Sequence, residues 1–231
     1  MRVFVPLIFV FLTLVSCAAR INGSVSADGS AAFSVDMSMG PRMVSLIRSL
    51  NSAGGQDSDI VLDGPAIAQS MSMEGISSVS FKNTAPAAVQ GDIRVSNVNR
   101  FLSEGDKAGF IIFEQHSSGG SCRININLDN GPVILESLSP EISDYLNALM
   151  APIATGENLS KNEYLDLVAS FYNRAISSEI SGSRISAFID FPGAISDVKG
   201  GTFTGRRAVF DISLLDFLVL DTPLNYEVTW N

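Results

Sequence analysis

Two periodicities divide this chain, and the switch between them limits the folds open to it. Phe33, Val35, Met37 and Met39 alternate with Ser34, Asp36 and Ser38. Cys122, Ile124, Ile126 and Leu128 alternate with Arg123, Asn125, Asn127 and Asp129, and Leu224, Tyr226, Val228 and Trp230 alternate with polar residues at the C-terminal end. Successive strand side chains point to opposite faces, so a period of two marks strands buried on one side. From about residue 139 to 181 the period becomes helical. There Ser160-Lys161-Asn162-Glu163 has the S-x-x-E form of a capping box. Tyr164, Leu165, Leu167, Val168, Phe171, Tyr172 and Ile176 follow as one broad apolar stripe. Strands at both ends with helices between them predict an α+β fold, an antiparallel β-sheet, curled or barrel-like, with helices packed on one face.

Shorter signals fill in the order of elements. Asp28-Gly29 predicts a hairpin between two antiparallel strands. Gly40-Pro41 opens a helix with Pro41 at its first position, where a missing N–H is tolerated, and Met43, Val44, Leu46, Ile47 and Leu50 give it one apolar stripe. A second helix is expected from Pro65 to Glu74 with Asp63 as its cap. Strands are expected over Ile76 to Lys82, Gly91 to Val98 and Gly109 to Gln115. Asn130-Gly131 is a tight-turn signal, and Pro132 after it sits at the edge of the apolar segment "VILESL", as on a strand. Ser139-Pro140-Glu141 starts a helix. "RISAFIDFPG", "RRAVFDISLLDFLVL" and "PLNYEVTWN" close the chain as strands, with a turn at Lys199-Gly200-Gly201-Thr202.

The N-terminus addresses location. Met1-Arg2 precedes an almost wholly apolar run from Val3 to Val15. That run is too short to span a bilayer, which needs roughly 20 apolar residues, and it fits a secretory signal with a charged start and an apolar centre. Its end, Leu14-Val15-Ser16-Cys17, resembles the bacterial lipobox. The resemblance implies that residues 1–16 are a lipoprotein signal peptide, cut before Cys17, and that the Cys17 sulfur is the lipid-attachment site. Residues 17–231 are then a single α+β domain. Only Ala18 to Arg20 would separate the anchor from the first strand, a reach of about 10 Å. Ala18, rather than Asp, beside the lipidated cysteine resembles the pattern of outer-membrane delivery, so the expected place is the cell envelope, lipid-anchored at the outer membrane.

The remaining residues argue against several chemistries. The 24 acidic residues outweigh the 15 basic ones, a net charge of −9 that becomes −10 when Arg2 leaves with the signal. A nucleic-acid partner wants a basic face, and a polybasic patch for anionic headgroups is equally missing. Once Cys17 is lipidated, Cys122 has no partner, and its place in an alternating segment makes it a small apolar packing residue. His116 is the sole histidine. It lies at an expected strand end in "EQHSSGGS", with no spacing that would join it to a nucleophile and an orienting acid. One histidine and one free cysteine do not make a zinc site. Asp57-Ser58-Asp59 followed by Asp63 begins like a calcium loop, but Leu62 and Ala68 stand where glycine and glutamate are required. No catalytic residue, metal ligand or cofactor is therefore expected, and no ligand-binding residue is nominated.

Two short regions carry a family resemblance. Phe191-Pro192-Gly193, followed by a glycine turn and a strand, and the hairpin "SVSADGSAAFSVDM" just after Cys17 look like parts of LppM-type mycobacterial lipoproteins. That resemblance implies a β-rich, helix-covered domain associated with lipid binding. The expected function is a membrane-anchored, non-enzymatic bacterial lipoprotein that binds lipid or another apolar ligand at the cell envelope. The alternative is a structural or assembly lipoprotein that contacts other envelope proteins. A concave apolar cavity would favour the first, and a filled core with an exposed apolar patch the second.

Overall fold

Asp28 turns the chain back on itself. Its carboxylate accepts from the Ser30 N–H at 2.9 Å and the Ser30 hydroxyl at 2.7 Å, while Gly29 takes a φ of +81°. This turn joins β1 (Ala18–Val25) to β2 (Ala31–Ser38) in an antiparallel register that pairs Val25 with Ala31 and Ala18 with Ser38. The hairpin is the one expected, with a difference at its start. β1 already begins at Ala18, because Ala18, Ala19 and Arg20 pair with β2 on one side and with Arg184, Ile185 and Ser186 on the other. No spacer separates Cys17 from the sheet. The computed structural model describes residues 18–53, 59–71, 75–99, 110–136 and 140–231. The expected signal segment, Cys17, and Asp57 and Ser58 of the acidic stretch lie outside them.

The fold is α+β with helices packed against a sheet face, as expected, but its strands form two open sheets and not one curled or barrel-like sheet. The larger has the order β3-β4-β2-β1-β7-β10-β9, where β3 is Ile76–Ala85, β4 Ala88–Val95, β7 Arg184–Asp190, β9 Thr202–Thr204 and β10 Arg207–Ser213. Its neighbours run antiparallel except β1 and β7, which are parallel from Ala18↔Arg184 to Ser24↔Asp190. A parallel pair needs a long crossover, and the helical segments supply it. The smaller sheet has the order β5-β6-β11-β8, with β5 Ile111–His116, β6 Gly119–Ile126, β8 Ile195–Lys199 and β11 Leu224–Trp230. The chain changes sheets between β8 and β9, at the expected Gly200-Gly201 turn. Gly200 has a φ of +77°, and a Cβ on Gly201 would lie 2.6 Å from the Val209 carbonyl oxygen.

Strand alternation gives the large sheet one polar and one apolar face. Arg20, Ser34, Asp92 and Arg207 lie on the polar face. There Arg207 grips Asp190 through two hydrogen bonds of 2.9 and 2.6 Å, which hold that carboxyl below its ordinary range. On the other face stand Ile21, Val35, Ile93, Ala187 and Phe210, one residue out of phase. This apolar face carries both the small sheet and the helices, side by side.

The helices begin where their caps direct. In α1 (Pro41–Ala53) Met43 and Ile47 are buried while Leu50 is exposed, and the Arg42 and Met43 N–H groups donate to the Glu179 carboxylate at 3.1 and 2.8 Å. Asp63 caps α2 (Gly64–Ser70) by accepting from the Ala66 N–H at 3.1 Å. Val133 to Glu136 of "VILESL" belong to a helix, α3 (Gly131–Glu136), not to a strand, and the rest of that segment lies outside the described residues. The Asn127 side-chain oxygen accepts from the N–H groups of Asp129 and Asn130, at 2.9 and 3.1 Å, and this turn ends the sheet path. Pro132 then falls in a first helical turn, where it costs no hydrogen bond.

Helices α4 (Pro140–Ala148) and α5 (Pro152–Thr155) lead to α6 (Lys161–Phe171), which opens on the expected capping box. Ser160 Oγ accepts from the Glu163 N–H at 3.4 Å, and the Glu163 carboxylate accepts from the Ser160 N–H at 2.9 Å. The stripe read as continuous to Ile176 breaks at Asn173, whose side chain accepts from the Ile176 N–H at 3.0 Å and starts α7 (Arg174–Gly182). "SLLDFLVL" also departs from the strand reading. It forms α8 (Leu214–Val219), capped by Ser213 accepting from the Asp216 N–H at 3.4 Å, and it buries Leu215, Leu218 and Val219. Lys161 ties α6 to this helix through Asp216 at 2.8 Å and Asp221 at 3.4 Å. Among the described residues no helix is long and apolar enough to cross a membrane.

Candidate functional site

The apolar faces of the two sheets do not meet fully. Between them lies a cavity of about 440 Å³. Its floor is the large sheet: Ile21 and Val25 of β1, Phe33 and Val35 of β2, Ile93 and Val95 of β4, Ala187 and Ile189 of β7, Phe210 and Ile212 of β10. Its roof is the small sheet, through Ile111 and Phe113, Cys122 and Ile124, Tyr226 and Val228. No charged or amide side chain reaches it. The size falls within the 300 to 1,000 Å³ typical of small-molecule pockets. It is about three times the apolar cavity of roughly 150 Å³ that stays dry and takes up one benzene. A space of this kind offers no hydrogen bond and no charge, so it can reward only apolar occupants.

Glycine and aromatic placement keeps it open. Gly23 faces Phe33 across β1 and β2, and a Cβ there would lie 2.4 Å from the Phe33 ring and 2.9 Å from Ile189 Cδ1. The ring therefore lies over Gly23, against its own sheet, rather than reaching to the roof. Phe191 and Phe113 line the cavity, and their rings rest on fully buried Trp230 at 4.9 and 5.6 Å between ring centres. Midway along, Ile21, Val35, Ile124, Ala187 and Ile212 remain only half-buried although they face inward. Their accessible surface is the wall of the cavity.

Two titratable groups line it, and both are held neutral. Burial pushes the Cys122 thiol up to about 11, so it is a poor nucleophile at neutral pH. That agrees with the packing role expected for it. Burial, with a smaller contribution from Asp216, also raises the Tyr226 phenol. Its ring meets Phe210 edge-on at 5.4 Å.

No family model matches this chain, and no curated protein matches it. Among solved structures, the NMR structure of the folded domain of LppM from Mycobacterium tuberculosis matches 94% of this chain and 90% of that one, with 11% sequence identity and a TM-score of 0.41. A likeness of that size assigns no activity.

Of the described residues weighed for chemistry in the sequence, Cys122 lines the cavity and His116 and Asp63 do not. His116 is exposed at the end of β5, opposite Gly119 in the β5–β6 hairpin. Asp63 is spent as a helix cap. Among the described residues no cluster of histidine, cysteine and carboxylate side chains could hold a metal ion. The cavity itself had no signature, because its lining residues are the same inward-facing apolar positions that any packed core would show.

Proposed function

We propose that this protein is a lipid-anchored, non-enzymatic bacterial envelope protein that holds an apolar ligand, a lipid acyl chain, between its two sheets. Cys17 carries the anchor, residues 17–231 are the mature chain, and Ala18 directs it to the outer membrane. The observation that carries the binding reading is the cavity of about 440 Å³ with no polar side chain other than the neutral groups of Cys122 and Tyr226. By the ratio to a benzene-sized void, it accepts roughly 18 carbons of chain. The opposing expectation, a fully packed core with an apolar contact patch, fits less well. The space between the sheets is not filled, and the large exposed apolar side chains Leu50, Ile60, Ile112, Phe171 and Phe203 are spread over five separate elements or loops.

The test is to purify the full chain from membranes, release it with detergent, exchange into a lipid-free buffer, and extract bound lipid for mass spectrometry. A single-chain or phospholipid species near one per protein is expected, together with uptake of a fluorescent fatty acid after extraction. Protein that carries no lipid and takes up no probe refutes the binding reading and leaves the assembly alternative.

A further inference from the structure

A second apolar hollow lies on the same sheet face, at the end of β1 where the chain enters. Ala19 pairs with Met37 on β2 and Ile185 on β7, so these three form one rung across the sheet. They floor a groove of about 170 Å³ whose far wall is the helical layer, with Met43 of α1, Leu146 of α4 and Leu218 of α8. One rung further in stand Ile21, Val35 and Ala187, the floor of the inter-sheet cavity. Like-facing positions on a strand are roughly 6.6 Å apart. The groove and the cavity are thus consecutive hollows along one apolar surface. Exposed Ala18 lies on the groove wall, and the next Cα toward the N-terminus is Cys17, about 3.8 Å away.

We propose that one acyl chain carried by Cys17 docks in this groove, its tip directed toward the inter-sheet cavity. The proposal rests on the lipoprotein reading of Cys17. Its support is placement and size. A groove close to the roughly 150 Å³ of a benzene-holding void takes about six chain carbons, and the inner rung begins where those end. An occupant tethered beside the mouth has no translational freedom to lose on entry, so it outcompetes a free lipid of equal apolar length. The remaining acyl chains stay in the bilayer, and the domain is held against the membrane by an anchor that it shares.

The experiment uses the full chain in its own membranes. Cells are fed a fatty acid with a diazirine within its first six carbons, the length that the groove holds, membranes are irradiated, and peptides are mapped by mass spectrometry. The expected product is the Cys17 lipopeptide joined to peptides containing Met43, Ile47 or Leu146, with loss of those products in Cys17→Ser. Label on Cys17 whose crosslinks go only to bilayer lipid overturns the docking and leaves the lipoprotein reading standing. Groove crosslinks that persist undiminished in Cys17→Ser identify free lipid as the occupant and also overturn it. Absence of label from Cys17 in the wild type removes the lipoprotein reading, and the docking with it.

Discussion

Ala187→Phe separates an open cavity from a packed one by the sign of its effect. Ala187 lies in the middle of the cavity floor, with Ile21 beside it on β1 and Phe210 on β10. Burying a phenylalanine side chain contributes about 1.5–3 kcal/mol, and allowing for the alanine methyl already there leaves about 1–2 kcal/mol. In a packed interior the same ring would cost about 1–3 kcal/mol through strain. The new ring needs roughly a benzene-sized 150 Å³, a third of the space present. Stability should therefore rise. For a chain of this size Tm moves by about 2–4 °C per kcal/mol, so an increase of roughly 2–8 °C is expected. Ligand uptake moves the other way. Excluding about six methylenes at roughly 0.8 kcal/mol each far exceeds the ~1.4 kcal/mol of a tenfold change, so fatty-acid affinity falls at least tenfold. The assay is thermal melting of lipid-extracted protein by circular dichroism, beside titration with a fluorescent fatty acid. A lower Tm with unchanged uptake would mean that the sheets are packed where the cavity is described and that ligand binds elsewhere.

Cys17→Ser removes the sulfur proposed to take a diacylglyceryl group, so it should abolish fatty-acid labelling and leave the signal uncut. Labelled or normally matured Cys17→Ser protein would refute the anchor. A chain starting at Ala18 should be soluble and folded, with a cooperative melt. At pH 8 the Cys122 thiol, raised from 9.0 to about 11, should alkylate about 100-fold more slowly than an ordinary cysteine, and a bound fatty acid should slow it further. Because its folded value is the higher one, its contribution to stability is intact below pH 9.0 and declines as pH rises through 11, which alkaline unfolding titrations of wild type and Cys122→Ala would compare. Ser160→Ala removes one half of the capping box and should cost about 1 kcal/mol in urea unfolding; no change in midpoint would mean that α6 is set by packing alone.

The elements that were legible in the sequence are those whose causes are local. The Asp28 turn, the Asp63 cap and the Ser160–Glu163 box each act within a few residues, and each stands where its motif places it. "VILESL" and "SLLDFLVL" were misread because a short apolar run has no period that separates a buried strand from a buried helix. What decides them is a side-chain cap, Ser213 for one and the Asn127 turn for the other. The parallel β1–β7 pair joins residues more than 150 positions apart, and nothing near Ala18 announces Arg184. The cavity is the hardest to read of all. Alternation says which side chains face inward, but the width of the gap they leave depends on how two sheets meet and on a phenylalanine lying over Gly23.

The start of β1 has a mechanical consequence. β1 is an interior strand, gripped along its whole length by β2 and by β7. A pull applied at Cys17 along the strand loads every rung of both ladders at once, in shear. The same pull across an edge strand such as β9 would break rungs one after another, as a zipper opens. With no slack residues between Cys17 and the sheet, force reaches the ladders without first straightening a tether. With the proposed anchor on Cys17, drag and membrane undulation would pass directly into the framework, and extraction would be resisted by the collective strength of two ladders.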